Sequence, residues 1–245
     1  MSAHYGIIGY PLSHSFSPGF FNDKFGQEGI DAVYQAYPLS DIHLLKELIS
    51  GDPQLKGLNV TIPYKQAVMP LLDEIDPAAQ KVGAVNCIAI RDGNTIGYNT
   101  DIIGFGHSLR PLLQQWQDRA LILGSGGAAH AVAYVLKQLG IMYKLVSRSE
   151  AINCITYDQL TPEIIARHKL IVNTTPLGMY PNVGTAPPIP YEGIGPQHLA
   201  YDLIYNPSET QFMKQAAAQG AVTKNGLDML HLQALAGWEI WNKRN

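Results

Sequence analysis

Short apolar runs alternate along this chain with amphipathic stretches of helical length. The first run, His4 to Gly9, ends in a polar loop, Tyr10-Pro-Leu-Ser-His-Ser-Phe-Ser-Pro18. A helical pattern follows to a stop at Gly29. A strand is predicted near Ala32 to Tyr37. The helix after it carries Leu44, Leu45, Leu48 and Ile49, whose i, i+1, i+4, i+5 spacing makes one apolar face. Leu58 to Ile62 reads as a strand cut off by Pro63, which has no N–H with which to continue a central ladder. Tyr64 and Lys65 therefore fall just beyond a strand's carboxyl end, where open α/β sheets bind ligands. A strand at Ala84 to Arg91 turns at Asp92-Gly93 into a return strand near Ile96 to Asn99, and Asp101 then opens a helix.

The second half has a simpler rhythm. Arg119-Ala-Leu-Ile-Leu-Gly124 is a buried-type strand, and Val132, Val135, Leu136 and Leu139 form an i, i+3, i+4, i+7 stripe on a helix that Gly140 stops. Apolar strands recur at Lys144 to Ser147, Leu170 to Asn173 and Leu199 to Leu203, separated by helix-length segments. That is the arrangement of a parallel sheet with crossovers. Tyr180 to Pro196, rich in proline and glycine, reads as a long surface loop. The last helix, Leu227 to Trp241, places Leu227, Leu230, Ala234 and Trp238 on one face with Gln233 near its centre.

Composition narrows the function. The 245 residues are 46% hydrophobic and carry a formal net charge of −3 with no dense basic run, which argues against nucleic acid or an anionic membrane as partners. No apolar stretch approaches the ~20 residues that span a bilayer, and the N-terminus lacks the pattern of a signal peptide, so a cytoplasmic location is expected. Cys87 and Cys154 have no C-x-x-C spacing, so neither a disulfide framework nor a metal site is expected.

Three groups of residues carry chemistry. Gly124-Ser-Gly126-Gly127-Ala128-Ala129 follows a strand and opens a helix, so the backbone can turn tightly and approach a pyrophosphate at the helix N-terminus. The bland alternative is a tight turn. The next strand ends in Ser147-Arg148-Ser149 rather than in the acidic residue that holds the ribose hydroxyls of NAD. Arg148 can pair with a 2′-phosphate, which favours NADP over NAD; a solvated arginine near Glu150 is the alternative. Lys65 and Asp101 each stand at the end of an element. A positioned ammonium can stabilise the alkoxide that develops when a ketone receives hydride, and a nearby carboxylate keeps that ammonium charged. The fold class is α/β with two domains. Residues 1–101 plus 225–245 form a mixed-sheet substrate domain, and residues 102–224 form a Rossmann-like dinucleotide-binding domain with a parallel sheet, the site lying in the cleft between them.

Taken together, the motifs resemble the shikimate dehydrogenase family along essentially the whole chain. Gly9-Tyr-Pro-Leu-Ser-His14-Ser15-Phe-Ser17-Pro18 is similar to the family's substrate loop, and Asn59-Val-Thr61-Ile-Pro-Tyr-Lys65 to its lysine motif. Gly83-Ala-Val-Asn86, Asn99-Thr-Asp101, Asn173-Thr-Thr175-Pro-Leu-Gly178-Met179, Tyr201-Asp-Leu203-Ile-Tyr205-Asn-Pro and Gly226-Leu-Asp-Met-Leu-His-Leu-Gln233-Ala follow in order. The resemblance implies NADPH-dependent, reversible reduction of 3-dehydroshikimate to shikimate, a step towards chorismate and the aromatic amino acids. It implies Ser15, Ser17 and Thr61 at the substrate carboxylate, and Asn59, Asn86, Asp101 and Gln233 at ring hydroxyls or the reacting oxygen. It implies further that Tyr205 lines the pocket, that Lys65 is the acid/base and that His14 has a structural task. Thr175, Met179, Leu203 and Gly226 join Gly124, Gly126, Gly127, Ala128, Ser147, Arg148 and Ser149 around the cofactor.

The chain departs from its relatives at Cys87, beside Asn86, and after Ser149, where Glu150-Ala151 brings no second basic residue to the 2′-phosphate and the segment to Thr161 is short. The missing second basic residue weakens the expected preference for NADP, whereas Cys87 is expected to leave the Asn86 amide undisturbed. Rival readings are a quinate/shikimate dehydrogenase of broader substrate or NAD use, a non-catalytic metabolite sensor, and a two-domain folate enzyme. Ser17 tilts towards shikimate, since relatives that accept quinate often carry threonine there. The expected partner is the small substrate, with the chain a monomer or homodimer.

Overall fold

The computed structural model describes residues 2–12, 15–149 and 154–243. Ser13 and His14 of the polar loop, and Glu150 and Ala151 after Arg148, lie outside the described residues. The chain divides into two compact units, residues 1–100 with 234–245 and residues 101–233.

The first unit is built on β1 (Ala3–Gly9), α1 (Phe16–Glu28), β2 (Ala32–Pro38), α2 (Leu45–Gly51), β3 (Leu55–Val60), β4 (Glu74–Ile75), α3 (Pro77–Val82), β5 (Cys87–Arg91) and β6 (Asn94–Tyr98). Its sheet has the order β2-β1-β3-β5-β6-β4. β1 is parallel to both β2 and β3, while β5 is antiparallel to β3 and to β6, so the sheet is mixed. Both faces of β1 are covered, which is why it reads as a continuous apolar run. Tyr5 and Ile7 join Phe21, Phe25, Tyr34 and Trp241, whereas Ile8 joins Leu39, Leu45 and Leu58. Each such side chain contributes about 1.5–3 kcal/mol on burial. Trp241 donates its indole N–H to the Ile88 carbonyl at 3.0 Å and lies so close to Gly57 that a Cβ there would stand 2.3 Å from it.

The second unit holds α4 (Asp101–Leu109), β7 (Arg119–Leu123), α5 (Gly127–Gln138), β8 (Met142–Ser147), β9 (Cys154–Thr156), α6 (Pro162–Arg167), β10 (Leu170–Asn173), β11 (Leu199–Asp202), α7 (Gln211–Ala218) and β12 (Val222–Lys224). The final helix, α8 (Leu227–Asn242), contributes its first turns to this unit and the rest, from Ala234, to the first. All six strands are parallel, in the order β12-β11-β10-β7-β8-β9. Successive residues face opposite layers: Ile122, Val172 and Tyr201 pack with Phe105, Val132 and Leu136, while Leu121, Ile171 and Ala200 pack with Ile165 and Phe212. The chain winds outward in both directions from the β7–β10 pair, and at such a switch point the crevice beyond the strand ends is the ligand-binding place of the Rossmann-like class.

Several details differ from the sequence-based expectation. β3 stops at Val60, two residues short of Ile62, which is 73% exposed just before Pro63. β5 begins at Cys87: Val85 turns away to donate to the Lys65 carbonyl, while Asn86 still bonds to Tyr98 and Val60 of the neighbouring strands. The Tyr180–Pro196 segment is not all surface, since Ile189 and Ile194 are buried in the second unit's core. Leu227 is exposed; Met229 is the first buried residue of α8.

Candidate active site

In the first unit, the polar residues gather beyond the carboxyl ends of the adjacent parallel strands β1 and β3. Thr61 donates its backbone N–H to the Ile8 carbonyl at 2.9 Å, and Tyr10 donates to the Ile62 carbonyl at 3.2 Å, so the loops after the two strands run side by side. Their approach is close enough that a Cβ on Gly9 would stand 2.5 Å from the Thr61 methyl. The Thr61 carbonyl then accepts from Tyr64, starting the turn that carries Lys65, and the Lys65 carbonyl accepts from Val85 at 2.7 Å. The lysine turn is thereby tied to the segment that carries Asn86. Lys65 itself is half-buried and is not without a partner.

A buried polar chain links three of the expected substrate residues. Ser17 bonds to the Tyr34 hydroxyl, which donates to Asn59 Oδ1 at 2.6 Å, and Asn59 Nδ2 donates to the Asn86 carbonyl at 3.4 Å. Asn86 in turn accepts the Thr100 N–H at 2.6 Å and donates Nδ2 to Thr100 Oγ1 at 3.0 Å. It thus fixes the residue immediately before Asp101. Burial pushes the Tyr34 phenol well up, the Ser17 bond only partly offsetting it, so Tyr34 stays a neutral donor. Tyr34 went unnoticed in the sequence because a tyrosine on a strand reads as core. Ser15 occupies the N-cap position of α1 without a side-chain capping bond. Cys87, beside Asn86, is fully buried, and desolvation raises its thiol far above the ordinary range, leaving it inert.

In the second unit, Asp101 is the first residue of α4 and is buried. One turn on, Gly104 meets α8 so closely that a Cβ would lie 2.5 Å from the Met229 carbonyl and 2.9 Å from the Gln233 Cβ. Asp101 and Gln233 therefore sit on elements packed against each other, and the Gln233 amide also donates to the Leu230 carbonyl at 2.9 Å.

Around the switch point, Gly124 leaves β7 at φ +113 and packs against the loop after β10, where a Cβ would stand 2.5 Å from Thr174 Oγ1. That hydroxyl donates to the Leu123 carbonyl at 2.7 Å. Gly126 is the N-cap of α5 and Gly127 its first residue, with Ala128 behind, so the free amides of the first helical turn are uncrowded by side chains. Thr175 is held by Asn173, whose Oδ1 accepts both its N–H (3.0 Å) and its hydroxyl (2.7 Å). Met179 is exposed in the same loop. Gly226 lies against the end of β11, where a Cβ would be 2.0 Å from the Leu203 carbonyl, so only glycine fits. The next residue but one after Leu203 is Tyr205, a half-buried phenol whose pKa burial raises. At the end of β8, Ser147 is buried and bonds back to the Ser149 carbonyl, while Arg148 and Ser149 are exposed.

This parallel sheet and glycine turn place the second unit in the Rossmann-like class of dinucleotide folds. The family model described as the shikimate dehydrogenase substrate binding domain matches residues 7–88. Shikimate dehydrogenase (NADP(+)) of Methanococcus aeolicus is 38% identical over 252 residues, covering 96% of this chain and 90% of the relative. The solved chorismate mutase/shikimate 5-dehydrogenase fusion protein of Clostridium acetobutylicum is 38% identical with a TM-score of 0.87, covering 99% of this chain and 92% of that one. Shikimate 5-dehydrogenase of Thermus thermophilus, solved with NADP(H) and shikimate, is 29% identical with a TM-score of 0.87, covering 98% and 93%. The chain belongs to the shikimate dehydrogenase family.

Proposed function

We infer that the chain catalyses the reversible, NADPH-dependent reduction of 3-dehydroshikimate to shikimate. What carries the reading is likeness over nearly the full chain to NADP-dependent shikimate dehydrogenases, joined to a set of fixed polar side chains suited to a polyhydroxylated acid. The buried series Ser17, Asn59 and Asn86, with Thr61 and Ser15 on the two adjoining loops, offers hydroxyls and amides, the two asparagines being held by Tyr34 and by backbone groups. Such groups reject an analogue that lacks a matching hydroxyl far better than an apolar wall does.

In this reading Ser15, Ser17 and Thr61 bind the carboxylate, and Asn59, Asn86, Asp101 and Gln233 hold the ring hydroxyls and the reacting oxygen. Lys65 donates its ammonium proton to the oxygen as negative charge develops there, and Asp101 keeps the ammonium charged and aimed. Tyr205 closes the pocket wall. The cofactor fits the second unit: the side-chain-free turn Gly124 to Gly127 suits a pyrophosphate, and Arg148 with the Ser147 and Ser149 turn suits a 2′-phosphate. Thr175, Met179, Leu203 and Gly226 would hold the nicotinamide end, and NADPH, when bound, supplies the hydride. Two free cysteines accord with a reducing, cytoplasmic location, and no helix among the described residues is long and apolar enough to cross a membrane. We place the working form as a monomer or homodimer.

The test is absorbance at the nicotinamide band with shikimate or quinate paired in turn with NADP or NAD. Turnover confined to shikimate with NADP is expected. Comparable turnover with quinate or NAD moves the protein to a broader dehydrogenase. Silence in all four pairings with ligand binding intact makes it a sensor.

A further inference from the structure

We propose that Asp202 is a positioning residue for the reaction: its ionised carboxylate clamps the loop after β10 to the loop after β11, and so sets the placement of Thr175, Leu203 and Tyr205. The proposal rests on the reading above, in which those three residues face cofactor and substrate.

Asp202 is the last residue of β11 and is fully buried. It lies opposite Asn173, the last residue of β10, in the parallel register. Three donors converge on it. Oδ1 accepts from Asn173 Nδ2 at 3.0 Å and from the Ile204 N–H at 3.1 Å, and Oδ2 accepts from the Thr210 hydroxyl at 2.6 Å. Asn173 passes the constraint on, since the amide that donates to Asp202 has its oxygen turned towards Thr175. The Asn173 carbonyl accepts the Leu203 N–H at 3.0 Å, so the same residue grips the second loop directly. Thr210 caps α7 by accepting the Met213 N–H, leaving its own hydroxyl proton for Asp202. Tyr205 follows Ile204, whose N–H the carboxylate holds.

A carboxylate here is costly. Among the described residues no Lys, Arg or His stands within ion-pair distance of Asp202, and burial raises its pKa to about 6 although the bonds from Thr210, Ile204 and Asn173 oppose the rise. Among the described residues, Tyr191 is a titratable group that feels the carboxylate's charge. That phenol donates to the Pro187 carbonyl at 3.0 Å, and its own burial, with the carboxylate's charge, holds it neutral. An asparagine could serve Asn173 and Ile204 with its oxygen, but would turn an NH2 towards Thr210, which has a proton to give. Only a group that accepts on both sides and donates on neither satisfies all three partners.

The test uses the full-length protein as Asp202→Asn and as Thr175→Val. The second keeps the β-branched shape at a partly exposed site and cuts only the last link. NADPH affinity is read by nicotinamide fluorescence, separately from steady-state turnover. For Asp202→Asn we expect kcat to fall about 10- to 100-fold and NADPH affinity to weaken several-fold, with the shikimate KM changed less than about 3-fold, in line with losses from misplaced reacting groups. Wild-type kcat/KM is expected to decline as pH falls through about 6, where the carboxylate gains a proton. Asp202→Asn is expected to lose that limb, and Thr175→Val to keep it while weakening NADPH binding. A lowered melting temperature with unchanged kcat, NADPH affinity and pH profile would reduce Asp202 to a structural residue and overturn the proposal, as would a variant that retains the wild-type acid limb. If Asp202→Asn does not fold, undiminished NADPH affinity in Thr175→Val overturns it. Wild-type protein silent with shikimate and NADP would sink the assigned reaction alone, because the affinity differences still read the clamp.

Discussion

Gly124→Ala separates backbone geometry from side-chain chemistry at the cofactor turn. Alanine at φ +113 is strained by about 1–3 kcal/mol. Its Cβ would also stand 2.5 Å from Thr174 Oγ1, so Thr174 must move and give up its 2.7 Å bond to the Leu123 carbonyl, a further loss of about 1 kcal/mol. The combined cost of roughly 2–4 kcal/mol corresponds to a fall in Tm of about 5–15 °C for a chain of this size. The turn would also shift, and a displacement near 1 Å is enough to cost a positioned group about 100-fold. Thermal melts followed by circular dichroism and NADPH titrations are run on Gly124→Ala, Thr174→Ala and the double variant. Thr174→Ala removes the obstructing hydroxyl, so the double variant is expected to be more stable than the sum of the singles by at least about 0.5 kcal/mol, while the backbone strain remains. Gly124→Ala melting within about 2 °C of the parent, with unaltered NADPH affinity, would refute the close-approach argument.

Lys65→Ala is expected to lower turnover about 100-fold or more with little change in the shikimate KM, since acid/base groups contribute on that order; unchanged turnover removes Lys65 from the chemistry. Arg148→Ala is expected to raise the NADPH KM while leaving NADH use nearly intact, and equal losses with both cofactors would show that Arg148 does not read the phosphate. His168 and His198 have pKa values lowered chiefly by burial, so on acidification from about pH 7 the unfolded chain takes up protons near 6.5 before the folded one does, and stability falls. Asp202, raised to about 6, acts in the opposite sense below that pH. Imidazole NMR titration giving ordinary values for both histidines would contradict this. Trp241→Ala is expected to cost about 3–5 kcal/mol in urea unfolding, from lost packing and the Ile88 bond; a loss under about 1 kcal/mol would mean the aromatic cluster is not a keystone of the first unit.

Much of the architecture was legible because the parallel strands are buried on both faces and announce themselves as apolar runs. Leu170–Asn173 matches residue for residue. The short strands Glu74–Ile75, Cys154–Thr156 and Val222–Lys224 were not legible, since two or three residues at a sheet edge have no period to read. α3 and α6 do carry a start signal in the sequence: Asp76-Pro77 and Thr161-Pro162 each supply a capping side chain followed by proline in the first turn. Motif spacing pointed to the polar residues on loops. Tyr34, Asp202 and Thr210 were missed because they act from inside, where only partners brought from distant positions reveal them.

The first unit is assembled from two stretches of chain separated by the whole of the second. Its aromatic core takes Tyr5, Phe21 and Tyr34 from the beginning and Trp241 from almost the end. During synthesis those early rings leave the ribosome without the indole that packs on them, whereas the second unit is one continuous segment and has all its strands in hand before α8 emerges. Order of translation therefore inverts order of completion: what is made first is sealed last, and nascent chains halted before Trp241 expose apolar surface that belongs against α8.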